Sequence, residues 1–239
     1  GYFELASDLP AIDTANYPAA FIQQASNTFD AADDMVIIGD TSGTPAVDWN
    51  QICGAAGTKK VSVSAWVRPT GWGGSSAGKI IQFGPTTSGL TFGILNSDPG
   101  KLRIRANWDT DGYWDTDSAA GTLTLNEWQH VAYTYDANSV SNDPIIYVNG
   151  VAVSVTETTT PVGAYGGFGT GLSVIGNNTT RANTWEGQLA DVAVWDKILS
   201  ATEIKAIAHA GVHKNPFSGV GELNSKNAMG RIGALLHSP

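Results

Sequence analysis

Between residues 61 and 195 the sequence alternates apolar and polar side chains in one short run after another. This period of two constrains the fold more than anything else in the chain. In Val61-Ser62-Val63-Ser64-Ala65-Trp66-Val67-Arg68, alternate side chains face opposite ways, as a half-buried strand requires, and Pro69 ends the run. Runs at 79–83, 90–95 and 101–106 follow, separated by Gly- and Ser-rich turns. In the last of these Leu102, Ile104 and Ala106 share one face and Lys101, Arg103 and Arg105 the other. Residues 128–135 alternate again, with Trp128, His130, Ala132 and Thr134 opposite Gln129, Val131, Tyr133 and Tyr135. Asn149-Gly150, between Ile145-Ile146-Tyr147-Val148 and Val151-Ala152-Val153, predicts a hairpin, because both central positions of its tight turn need positive φ. Runs at 172–176 and 188–195 complete the strands. One helix is expected, capped by Ser200 and Glu203 and carrying an apolar stripe of Ile204, Ile207 and Ala208 up to Gly211.

The chain of 239 residues fits one large all-β domain, and its 28 glycines supply many turns. Many short strands and one late helix predict an all-β, two-sheet antiparallel jelly-roll sandwich over 21–211. Terminal arms at 1–20 and 212–239 flank it. Both carry apolar anchors, so both are expected to dock rather than trail. Residues 1–58 contain eight acids and no Lys or Arg, whereas 212–239 contain three bases and one acid. Two outcomes stay open: the arms wrap their own sandwich, or the C-terminal arm reaches an acidic surface on another subunit through Phe217, Arg231, Ile232, Leu235 and Leu236. Other protein subunits are therefore expected partners.

A net charge of −9 argues against nucleic acid, which needs clustered Lys and Arg. No apolar stretch is long enough to span a bilayer. The single cysteine, Cys53, permits no internal disulfide and reads as a small buried hydrophobe. No basic, apolar leader is visible and Gly1 stands first, so secretion is not read either way.

Four segments in order resemble the laminin-G-like jelly roll of the concanavalin-A-like lectin and glucanase superfamily. They are Thr28-Phe29-Asp30 through Ile38-Gly39, then Val63-Ser64-Ala65-Trp66-Val67-Arg68-Pro69, then Asn126-Glu127-Trp128-Gln129-His130-Val131-Ala132, then Gly187-Gln188-Leu189 through Trp195-Asp196 running into Leu199-Ser200-Ala201-Thr202-Glu203-Ile204. The resemblance implies the sandwich and a closing helix; Trp66, Trp128 and Trp195 are read as core, and His130 as a partly buried histidine with its hydrogen bonds satisfied. Many members carry an Asp-Glu pair where this chain has Ala190-Asp191, so Ala190 offers no carboxylate to a calcium site of that type.

Glycanases on this sandwich use Glu-x-Asp-x-x-Glu, which places nucleophile and acid on one face. No such run exists here, and with four histidines and one cysteine a zinc site is not expected. The chain is expected to be no enzyme. One segment, read as a loop, looks chemical: Asn107-Trp108-Asp109-Thr110-Asp111-Gly112-Tyr113-Trp114-Asp115-Thr116-Asp117. Asn107, Asp109 and Asp111 before Gly112 copy the first half of a calcium loop, and Asp115 is a further oxygen ligand candidate. The rival reading is a plain turn between strands. Trp108, Tyr113 and Trp114, with Trp72 in Gly71-Trp72-Gly73-Gly74, could stack on sugar rings; equally, they could fold onto the core. The overlapping sequons in Asn177-Asn178-Thr179-Thr180 are read as a loop. Three functions stay open: a structural or adhesive surface protein such as a virion head decoration or fibre component, a calcium-assisted carbohydrate-binding module, and, disfavoured, a glycan-cleaving enzyme. An extracellular or virion-surface setting is expected.

Overall fold

A computed structural model describes residues 20–21, 27–38, 49–74, 78–85, 89–95, 100–117, 123–168 and 172–209. The expected terminal arms, and the assembly residues Phe217, Arg231, Ile232, Leu235 and Leu236, lie outside these, apart from Ala20.

The chain runs β1 (Ala20–Phe21), β2 (Asn27–Asp30), β3 (Val36–Ile38), α1 (Trp49–Ile52), β4 (Lys60–Pro69), β5 (Lys79–Phe83), β6 (Leu90–Ile94), β7 (Leu102–Ala106), β8 (Trp108–Thr110) and β9 (Gly112–Thr116). It continues through β10 (Gln129–Asp136), β11 (Ile145–Val148), β12 (Val151–Val153), β13 (Val155–Thr159), β14 (Val162–Tyr165), β15 (Ser173–Ile175), β16 (Glu186–Trp195) and α2 (Ala201–His209). The first sheet has the order β1-β16-β4-β10-β11-β12, with β2 also on β16; the second is β13-β9-β7-β6-β5-β15-β3. All pairings are antiparallel, and β8 and β14 form a small separate ribbon.

Alternation explains the layering. The odd residues of β4 and β10, such as Val63, Val67, Val131 and Tyr133, meet Phe83, Phe92, Ile104 and Trp114 of the second sheet in one core. Phe92 and Tyr133 touch edge to face at 5.1 Å. The short α1 adds Trp49, which packs against Phe83 at 5.3 Å. Cys53, just beyond α1, is fully enclosed, and burial, followed by the charge of Asp196, pushes its thiol pKa up.

The outer face of the first sheet is closed by α2. Ile204 and Leu199 cover Ala132, Tyr147, Ala193 and Trp195 in a second apolar cluster. The helix begins as its sequence predicts: the Ser200 hydroxyl accepts the Glu203 N–H at 3.2 Å, and the Glu203 carboxylate accepts the Ser200 N–H at 2.7 Å. Gly150 explains how close the turn sits to this helix. Its φ is +78°, and a Cβ there would stand 3.1 Å from the Ala208 Cβ.

Two expectations need correction. Trp66 and Trp128 are half-buried rather than core, because they share the outward parity of His130 and Ala132; Trp195 is buried, but beneath α2. Residues 107–117 are not a loop: most of them belong to β8 and β9, which bend apart at Asp111.

Candidate binding face

With α2 over the first sheet, the polar face of interest is the outer side of the second. The pairings of β5, β6, β7 and β9 set side chains in two rows across it: Lys79, Gly93, Arg103, Asp115, and Gln82, Thr91, Arg105, Tyr113. The 101–106 alternation had already placed Arg103 and Arg105 on one face. The strand pairing adds their acids.

Arg103 forks onto Asp115, Nε to Oδ1 at 2.6 Å and Nη2 to Oδ2 at 2.6 Å. Such a planar two-bond contact fixes both partners. The guanidinium also lies over the Tyr113 ring, 5.4 Å from its centroid. Arg105 donates from Nε and Nη2 to Asp111 Oδ2, at 2.9 and 2.6 Å, and from Nη1 to the Gly89 carbonyl at 3.3 Å. Thr156 stands opposite Asp115 on β13 and donates its hydroxyl to Asp117 at 2.9 Å. Lys79 has no carboxylate partner among the described residues. Burial first, then the charges of Arg103 and Arg105, lower its pKa to about 8.

The structure therefore brings Tyr113, Asp111 and Asp115 together on this face and sends the other expected site residues elsewhere. Trp114 points inward, fully enclosed, with Nε1 donating to Asp143 at 2.8 Å. Trp108 is buried in the core, donating to the Tyr135 hydroxyl at 3.0 Å. Trp72 is half-buried against the core. Asn107 donates to the Gly167 carbonyl, and Asp109, exposed, accepts the Ala164 N–H at 2.8 Å. The four oxygen candidates for calcium are thus dispersed over different partners. Among the described residues no three His, Cys, Asp or Glu side chains are grouped to hold a metal. Asn177 and Asn178 are buried, with Asn177 bonded to Thr184 and Asp34, so neither sequon presents its amide to solvent. Sequence reasoning missed Lys79, Arg103 and Arg105 as site residues. Their clustering depends on which strands pair, and the only local signal was the shared face of the two arginines.

A family profile described as the concanavalin A-like lectin/glucanases superfamily matches residues 30–205. The chain belongs to this superfamily. Solved structures of similar fold include a protein described as carbohydrate binding from Bacteroides ovatus, 16% identical with a TM-score of 0.52 over 77% of this chain and 47% of that one. A SAP-like pentraxin from Limulus polyphemus is 18% identical with a TM-score of 0.48 over 63% and 70%. The receptor binding domain of the botulinum neurotoxin C/D mosaic serotype is 16% identical with a TM-score of 0.49 over 82% and 46%. The chain thus spans about half the length of two of these three. No curated protein matches the sequence. Among the described residues no two glutamates share a strand. No helix among the described residues is long and apolar enough to cross a membrane.

Proposed function

We propose that this chain is a non-catalytic carbohydrate-binding and adhesion module of an extracellular or surface setting, with the outer face of its second sheet as the contact area. The observation that carries the reading is the Arg103–Asp115 fork beside the Tyr113 ring. A sugar offers apolar C–H faces and hydroxyl edges, and a fixed donor–acceptor pair next to an aromatic plane is complementary to both. The fold shared with the Bacteroides ovatus protein, described as carbohydrate binding, is in keeping with it.

A calcium-assisted form of this reading requires Asn107, Asp109, Asp111 and Asp115 to exchange their present partners for the ion. Assembly with other subunits, in a virion decoration or elsewhere, is a separate part of the proposal. It draws on the opposed charges of 1–58 and 212–239. Deleting 212–239 should then abolish association while leaving the melting curve in place.

The binding reading is tested on a glycan array with the native chain and Tyr113→Ala. Binding to a subset of glycans, weakened about tenfold or more in the variant, is expected. An array without any binder rejects it.

A further inference from the structure

Resting on that reading, we infer that the saccharide is acidic, and that its carboxylate or sulfate group seats between the Lys79 ammonium and the Arg103 guanidinium.

Lys79, Arg103 and Arg105 stand in the two rows across this face, in a chain whose net charge is −9. Two acids, Asp115 and Asp111, serve Arg103 and Arg105, and the positive charge of Lys79 is left over. Lys79 and Arg103 both stand opposite Gly93, one on each side, so they are two strand spacings apart on the same face. That is about 10 Å between backbones, which two long side chains close to the width of one small anion. Gly93 leaves the floor between them low. A Cβ there would lie 2.3 Å from the Gly78 carbonyl oxygen, so no side chain can fill the gap.

The free donors match an anion. Arg103 uses Nε and Nη2 on Asp115, and Nη1 has no acceptor among the described residues. The Lys79 ammonium has none either. Two N–H groups of this kind donate to both oxygens of a carboxylate, or to two of a sulfate, through charge-assisted bonds. A neutral sugar hydroxyl would satisfy one donor and leave the charge uncompensated.

Burial and two neighbouring guanidiniums already hold the Lys79 pKa near 8, so its charge is costly in the free protein. A bound anion relieves that cost. The groups facing Lys79 are Arg103 and Arg105 from β7, with Asp115 and Tyr113 beyond them on β9 and Asp111 at the bend before it. The Lys79 pKa of about 8 lies between neutral pH and mild alkali. A long polyanion is a poor alternative occupant, because the rest of the surface repels it. Isolated acidic groups on an otherwise neutral glycan meet no such barrier.

The test uses the full chain, with Lys79→Met and Lys79→Arg, on glycans in matched pairs. One arm compares a neutral oligosaccharide carrying a single terminal glucuronic acid with its methyl ester, and the other a galactose oligosaccharide carrying one sulfate with its unsulfated form. Melting curves confirm that the variants fold. The native chain should favour at least one acidic member about tenfold or more, with the preference lost in Lys79→Met, kept in Lys79→Arg, and weakened between pH 7 and pH 9.5. The arm that responds distinguishes carboxylate from sulfate. Equal binding of acidic and neutral members by the native chain, or a preference untouched by Lys79→Met, overturns this inference and leaves the carbohydrate reading standing. If neither arm nor the wider array shows binding, both fall.

Discussion

Tyr113 and Trp114 are neighbours on β9 with opposite tasks. Trp114 fills the core, and its truncation to alanine should cost about 3–5 kcal/mol by opening a cavity and stranding Asp143. Tyr113 stands on the polar face, and its truncation should cost less than about 1 kcal/mol while weakening glycan binding. Thermal melts beside glycan titrations separate the two, and equal stability losses would place both in the core. His130 gives the residue scale a pH signature. It is fully enclosed rather than partly buried, neither ring nitrogen has a hydrogen-bond partner among the described residues, contrary to the satisfied histidine expected, and desolvation lowers its pKa from 6.5 to about 4. The unfolded chain therefore binds a proton that the folded chain refuses between those values. Stability should fall as pH drops from 6.5 and level off, for this group, below about 4. His130→Phe should flatten that part of the melting-temperature profile; an unchanged slope would assign it to other groups.

At the scale of elements, what the sequence revealed was local. Asn149 and Gly150 take φ of 52° and +78°, as their hairpin turn demands. The Ser200–Glu203 cap forms as its spacing predicts, and Ser200→Ala should cost about 1 kcal/mol in a thermal melt. Gly150→Ala should cost more than about 1 kcal/mol, since it loses the turn conformation and crowds Ala208. Milder loss would mean that α2 can shift. What stayed hidden was pairing between distant elements. Asp111 and Asp115 look like metal ligands by spacing alone, because Arg105 and Arg103 meet them only once β7 lies beside β9. The tryptophans misled for a related reason: alternation tells which residues share a face, but not which face a helix will cover. Trp66 and Trp195 share the outer side of the first sheet, yet only Trp195 belongs to the cluster under α2.

For the whole molecule, the two outer faces divide the work: one is sealed by a helix, the other carries charge. Because Asp109, Asp111 and Asp115 each have a protein partner, chelator should leave the melting temperature unchanged. A drop in the native chain that vanishes in an Asp109→Ala, Asp111→Ala double variant would establish the ion instead. The enclosure of Cys53 has a kinetic consequence. As the sole thiol of the chain, shut inside the core at the α1 end, it can meet a disulfide reagent in water only when that region opens. Its labelling rate is then a clock for the opening, with no engineered probe. If the sandwich unfolds as one unit, that clock should quicken with denaturant as steeply as the loss of strand signal; a shallower response would reveal that the α1 end breathes by itself.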